Sequence, residues 1–214
     1  AEPLAVGDHL ITPCQEAKNL GCWFDQQLSM VTNINKICSA SYFYLHNIRR
    51  IRKFLSVEST KLLVHALVSS RIDYCNSLLY GLPQTQLSKL QRVQNTAARL
   101  ICNLLRFDHI SPVLFKLHWL PVHYRIIFKV LVITYKAING MAPKYISDLI
   151  TIKAESTYSL RSNNELLLAY PRARTKTTLG DRAFCTAAPK LWNSLPQSLR
   201  KITSVDSFKA QLKT

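Results

Sequence analysis

The sequence predicts a mainly α-helical fold, a helical bundle with a small β-hairpin at its N-terminus and a C-terminal region of mixed α/β character. Three observations carry this. Apolar residues recur at spacings of three and four from Met30 to about Asn139, the period of one helix face. Before Met30, two short runs at 9–12 (HLIT) and 18–25 (KNLGCWFD) read as strands with a proline between them, which predicts a hairpin. Beyond Ile150, residues 151–180 turn to Thr, Ser, Asn and Arg around one strand-like run, ELLLAY, before helical patterning returns.

Taken in order, the first helix shows Ile34, Ile37, Cys38, Ser41, Leu45 and Ile48 on one side. Ser56 then reads as an N-cap with Glu58 in the first turn, opening a helix through KLLVHALVSSRIDYCNSLLYG that Gly81 and Pro83 stop. Residues 85–105 place Leu87, Leu90, Ala97, Leu100, Ile101 and Leu104 together, with Lys89, Arg92, Arg99 and Arg106 roughly opposite. Ser111 and Pro112 begin a short helix as N-cap and N1. The apolar run from Val122 to Asn139 predicts a core helix closed by Gly140, and Pro143 starts another short one. A second hairpin is expected at about 165–179, and Pro189 is expected to kink or split the helix around it. The corresponding divisions are 1–28, 29–150 and 151–214. The chain starts at Ala1 and stops inside an amphipathic pattern, SFKAQLKT, so both ends read as cut.

Composition narrows the function. The 214 residues carry a net charge of +16 and are 48% hydrophobic, which argues against disorder. No acid lies between Asp25 and Glu58, a gap holding Lys36, Arg49, Arg50, Arg52 and Lys53. From Glu58 to Arg106 the only acid is Asp73. A solvated face usually mixes signs, so this bias points to a polyanion, either nucleic acid or an anionic membrane. The bland alternative is a basic protein kept soluble by its charge. The most apolar stretch, IIFKVLVITY, is too short to span a bilayer, and no signal peptide is evident. The six cysteines show no C-x-x-C or zinc spacing, which fits a reduced, intracellular protein of cytoplasm or nucleus.

Catalytic groupings are missing from the pattern. The aspartates are scattered, no G-x-S-x-G, P-loop or H-E-x-x-H occurs, and the six histidines sit mostly within helical patterns, where a packed role is the usual one. No catalytic residue and no metal ligand is therefore assigned. The residues read as a basic helical module whose Arg and Lys neutralise phosphates without a base-reading device.

Five segments in order carry a resemblance: NLGCWFDQQLS, SSRIDYCNSLLYGLP, LQRVQNTAARLI, LHWLPVHYRIIFKVLVITYKAINGMAPKYISDLI and GDRAFCTAAPKLWNSLPQSLR. Together they resemble the region behind the polymerase palm in reverse transcriptases of non-LTR retrotransposons (LINEs, jockey-like group), over nearly the whole chain. The resemblance implies that Leu20, Gly21, Cys22 and Trp23 belong to a primer-grip hairpin at the end of the palm, with Cys22 and Trp23 standing where small aliphatic residues are common. Asp25 is then structural rather than a metal ligand. The helices from about 30 to 105 are similar to the thumb, which holds RNA–DNA or DNA duplex through its phosphates. On that view Arg49, Arg50, Arg52, Lys53, Lys89, Arg92, Arg99 and Arg106 are the candidate nucleic-acid contacts. The family's chemistry uses Mg²⁺ on palm aspartates, including an adjacent pair. No D-D pair occurs here, so the chain is expected to be a polymerase fragment with no cofactor of its own and inactive alone, which a primer-extension assay tests. The alternative is a transposon-derived helical module that binds protein.

Overall fold

The structure, a computed structural model, describes residues 3–105, 107–153, 166–171 and 178–213. It is mainly helical with β-hairpin structure at the N-terminus, as the sequence predicts, but with two hairpins in place of the one expected. The chain divides into two compact units, Ala1–Cys75 with Leu82–Asp108, and Asn76–Gly81 with His109–Thr214. These units cut the chain near residue 108, where the sequence reading placed divisions at 28 and 150.

In the first unit, β1 (Leu4–Val6) pairs antiparallel with β2 (His9–Ile11), and β3 (Glu16–Asn19) with β4 (Cys22–Asp25). The expected pairing of 9–12 with 18–25 does not form, and 18–25 is two strand ends around a turn rather than one strand. Each strand pairs with its sequence neighbour because a two-residue loop closes the pair at less entropic cost than a long connection. The loops take the backbone such hairpins need. Gly7 has φ 58°, and Leu20 and Gly21 have φ 45° and 87°.

Asp25 turns the chain from β4 into the helices. Its Oδ1 accepts the backbone N–H groups of Gln27 (3.1 Å) and Ser29 (2.9 Å), and its Oδ2 accepts the Ser29 hydroxyl (3.0 Å) and the Met30 N–H (2.9 Å). α1 (Val31–Ile51) follows, with Ile34, Ser41, Leu45 and Ile48 buried and Ile37 and Cys38 half-buried. It packs on β4 and on α4 (Gln84–Cys102). The two helices run parallel. Lys89 Nζ donates to Asn35 Oδ1 near their starts, and Arg52 reaches the Leu100 carbonyl near their ends.

α2 (Val57–Val64) is capped as expected, the Ser56 hydroxyl accepting the Ser59 N–H at 3.0 Å. The single helix expected after it is interrupted. A π-helical segment, His65–Ser69, leads into α3 (Ser70–Asp73), and the chain turns at Cys75 with φ 51°. Arg71 Nε and the Ser70 hydroxyl bond the carbonyls of Leu67 and Ala66 there, partners that a widened turn makes accessible. α4 stops at Cys102 rather than near residue 105, because Asn103 takes the left-handed conformation (φ 52°) that ends helices. Leu104 therefore leaves the buried face.

In the second unit, α5 (Ser111–Lys116) starts one residue earlier than expected, with Ile110 as N-cap. α6 (Val122–Ile138) buries Val122, Ile126, Val130, Leu131 and Tyr135, and Gly140 (φ 68°) follows its end. The 3₁₀ turn Asn76–Leu79 packs on α6, and α7 (Lys144–Ser147) begins after Pro143. α8 (Thr178–Asp181), α9 (Phe184–Asn193), α10 (Gln197–Arg200) and α11 (Val205–Gln211) complete the unit. α9 continues through Pro189 without splitting.

Leu131, Val132, Tyr135, Leu168, Trp192 and Phe208 form the core of this unit. Tyr135 stacks on Phe208 with ring centroids 4.5 Å apart. Asn193 acts as a surrogate strand partner for Leu168, accepting its N–H and donating to its carbonyl, both at 2.9 Å. Leu168 also bridges Ile152, and residues 167–169 of the strand-like run pair antiparallel with 151–153. The other arm of the hairpin expected at 165–179, residues 172–177, lies outside the described residues.

Candidate nucleic-acid interface

The parallel packing of α1 and α4 brings the ends of both helices together. Arg49 on α1, Arg52 and Lys53 on the 3₁₀ turn after it, and Arg99 on α4 line one cleft of about 820 Å³. Thr96, Leu100, Asn103, Leu104 and Leu105 form the rest of its wall. Two of the sequence-predicted basic groups thus converge from positions about fifty residues apart in the chain.

The cations there differ in what they do. Arg52 is half-buried and donates to three carbonyls, those of Leu100 (Nε, 3.1 Å), Ile101 (Nη2, 3.2 Å) and Leu55 (Nη1, 2.9 Å). It satisfies carbonyls at the end of α4, which a helix leaves without internal partners. Its charge also complements that end of the helix dipole. Arg52 therefore shapes the cleft wall. Arg99 donates Nη2 to the Asp108 carbonyl at 3.2 Å, while its Nε is buried without a partner. Arg49 and Lys53 are exposed, Lys53 lying 4.8 Å from the ring centre of Phe54. Asp108 stands at the rim, its carboxylate accepting the Leu105 N–H at 2.7 Å.

Farther back on α4, Arg92 is exposed and Lys89 is half-buried against α1. Arg92 and Arg99 lie opposite the buried face of α4, and Lys89 flanks it on the side toward α1. From Lys89 to Arg99 the rise is about 15 Å at 1.5 Å per residue, the length of about four base-pair steps. Arg50 belongs elsewhere. It lines a second, apolar groove of about 420 Å³ with Tyr44, Ile48, Ile51, Leu63 and Leu67. Arg71 lies over the ring of Tyr44 at 4.9 Å. Arg106 lies outside the described residues.

The four hairpin residues have separate fates. Leu20 is exposed at the tip of the β3–β4 turn. Gly21 sits against the Tyr74 ring, where an added Cβ would lie 3.3 Å from a ring carbon. Cys22 is buried, and burial together with a hydrogen bond to Cys75 pushes its thiol pKa up to about 11. The Trp23 N–H donates to Asn33 Oδ1 at 3.2 Å, and Lys36 Nζ lies 5.5 Å from its ring centre. Only Leu20 presents its side chain freely. Asp25 feels partial burial, which raises its pKa, but the hydrogen bonds from Ser29, Met30 and Gln27 outweigh it and hold the carboxyl below its ordinary value.

Sequence reasoning missed the leucine floor of the cleft. The signal was Asn103, a helix-ending residue type that would have moved Leu104 and Leu105 off the helix. It also misjudged the histidines. All six are exposed, not packed. Among the described residues, no group of three His, Cys, Asp or Glu could hold a metal ion, and no helix is long and apolar enough to cross a membrane. No protein-family model, no curated protein and no solved structure matches the chain.

Proposed function

We propose that this chain is a fragment of a non-LTR retrotransposon reverse transcriptase that binds template–primer duplex through its phosphates, without base-specific contacts and without carrying the catalytic carboxylates. The observation that carries the reading is the convergence of Arg49, Lys53 and Arg99 on one cleft, with Lys89 and Arg92 continuing the same edge of α4. Contacts of that kind position a duplex and do not read its sequence.

Among the described residues, Arg49, Lys53, Lys89, Arg92 and Arg99 remain as candidates once Arg52 is assigned to the helix end and Arg50 to the other groove. If three to five of them reach phosphates, log K against log salt should fall with a slope of about −2.7 to −4.5 on B-DNA. Neutralising Arg92 and Arg99 together should flatten the slope by about two. Neutralising Arg172 and Arg174 is the control for net charge alone. Equal losses from both pairs would leave only non-specific electrostatics.

A second reading, a helical protein-interaction module, is supported by the apolar groove of Tyr44, Ile48, Ile51, Leu63 and Leu67. It predicts no salt-dependent nucleic-acid binding in the same assay.

A further inference from the structure

The cleft at the ends of α1 and α4 offers more than a phosphate uses. Phosphate is held by charge and N–H groups, and an apolar floor adds nothing to that contact. Here Leu100, Leu104 and Leu105 make the floor, and Leu105 is 75% exposed. Arg49, Lys53 and Arg99 stand around it. The buried, unpartnered Nε of Arg99 is a desolvated donor that lacks an acceptor. The volume of about 820 Å³ lies in the range of small-molecule sites, roughly 300–1,000 Å³. Paired bases are stacked inside a duplex and cannot lie on such a floor. An unpaired nucleotide supplies both parts, a phosphate for the cations and a base for the leucines.

We infer that the cleft takes one unpaired nucleotide flanking a duplex, its phosphate on Arg49, Lys53 and Arg99 and its base against Leu104 and Leu105. This rests on the reading of the face as a nucleic-acid surface. Leucine offers no hydrogen bond to a base edge, so the site should accept any base.

The test is fluorescence anisotropy of the whole chain with three labelled RNA–DNA duplexes: blunt, extended by one nucleotide, and extended by one nucleotide lacking its base. The base-bearing extension should bind about tenfold tighter than the blunt duplex, toward the low end of what stacking one base contributes because the floor is not aromatic. The abasic extension should stay within about twofold of the blunt one. Leu105→Ser, at an exposed position, should abolish most of the gain, so that the base-bearing and abasic extensions bind alike. Equal binding of the base-bearing and abasic extensions overturns the inference.

Failure of the duplex reading looks different, because then none of the three duplexes binds. In that case a nucleoside 5′-monophosphate and ribose 5-phosphate are each titrated against methyl-labelled chain. Shifts of the Leu104 and Leu105 methyls with the nucleotide alone uphold the cleft assignment without the duplex. No shift with either, or binding only to anionic phospholipid vesicles, overturns it.

Discussion

The Nε–H of Arg52 meets the carbonyl of Leu100 at 3.1 Å, joining positions 48 residues apart. With its bonds to Ile101 and Leu55, this guanidinium closes the end of α4 against the end of α1. Arg52→Gln should leave those carbonyls unpaired and lower stability by about 2–3 kcal/mol, since hydrogen bonds to charged groups are worth more than neutral ones. Urea unfolding measures it. Arg50→Gln, which disturbs no such bond, should stay within about 0.5 kcal/mol of wild type.

Asp25 should make the fold acid-sensitive in a defined window. Its folded pKa lies below the ordinary value of 3.8. The carboxylate's contribution is therefore fully present above 3.8, declines as pH falls toward the lower folded value, and is gone below it. Asp25→Asn should remove that part of the stability–pH curve and lower stability at neutral pH. Unchanged pH dependence in the variant would assign the acid sensitivity to other groups.

Tyr135 is fully buried, and its hydroxyl has no hydrogen-bond partner. Burial raises its pKa. Tyr135→Phe keeps the stacking on Phe208 and removes an uncompensated polar group, so it should be neutral or stabilising by up to about 1 kcal/mol. Thermal or urea unfolding should show it. A loss of more than about 1 kcal/mol would mean that the hydroxyl has a partner.

The two hairpins should exchange amide hydrogens very differently. β1 and β2 are exposed along their whole length, and an isolated two-stranded hairpin is marginal in water. Residues 4–11 should exchange almost as an unfolded chain. Trp23 should be protected, because its N–H is held by Asn33 and β4 packs on α1. The slowest amides should lie in α6. Equal protection of both hairpins would contradict this packing.

The helical content, the long core helix α6, the Ser56 cap and the basic bias of α1 and α4 were all legible in the sequence. Each depends on period, on local capping or on composition, which act within a few residues of chain. Strand pairing was harder to read. The sequence marks where strands can form, but the two-residue turns at Gly7 and Leu20–Gly21 chose the partners. Tertiary structure alone separated the seven candidate cations among the described residues. A helical repeat places charge around an axis without saying what faces it. Only the parallel packing of α1 on α4 turned Arg52 into the closing group of a helix end and gathered Arg49, Lys53 and Arg99 around the leucines of one cleft, while the packing of α1 against α2 and the segment after it placed Arg50 in a different groove.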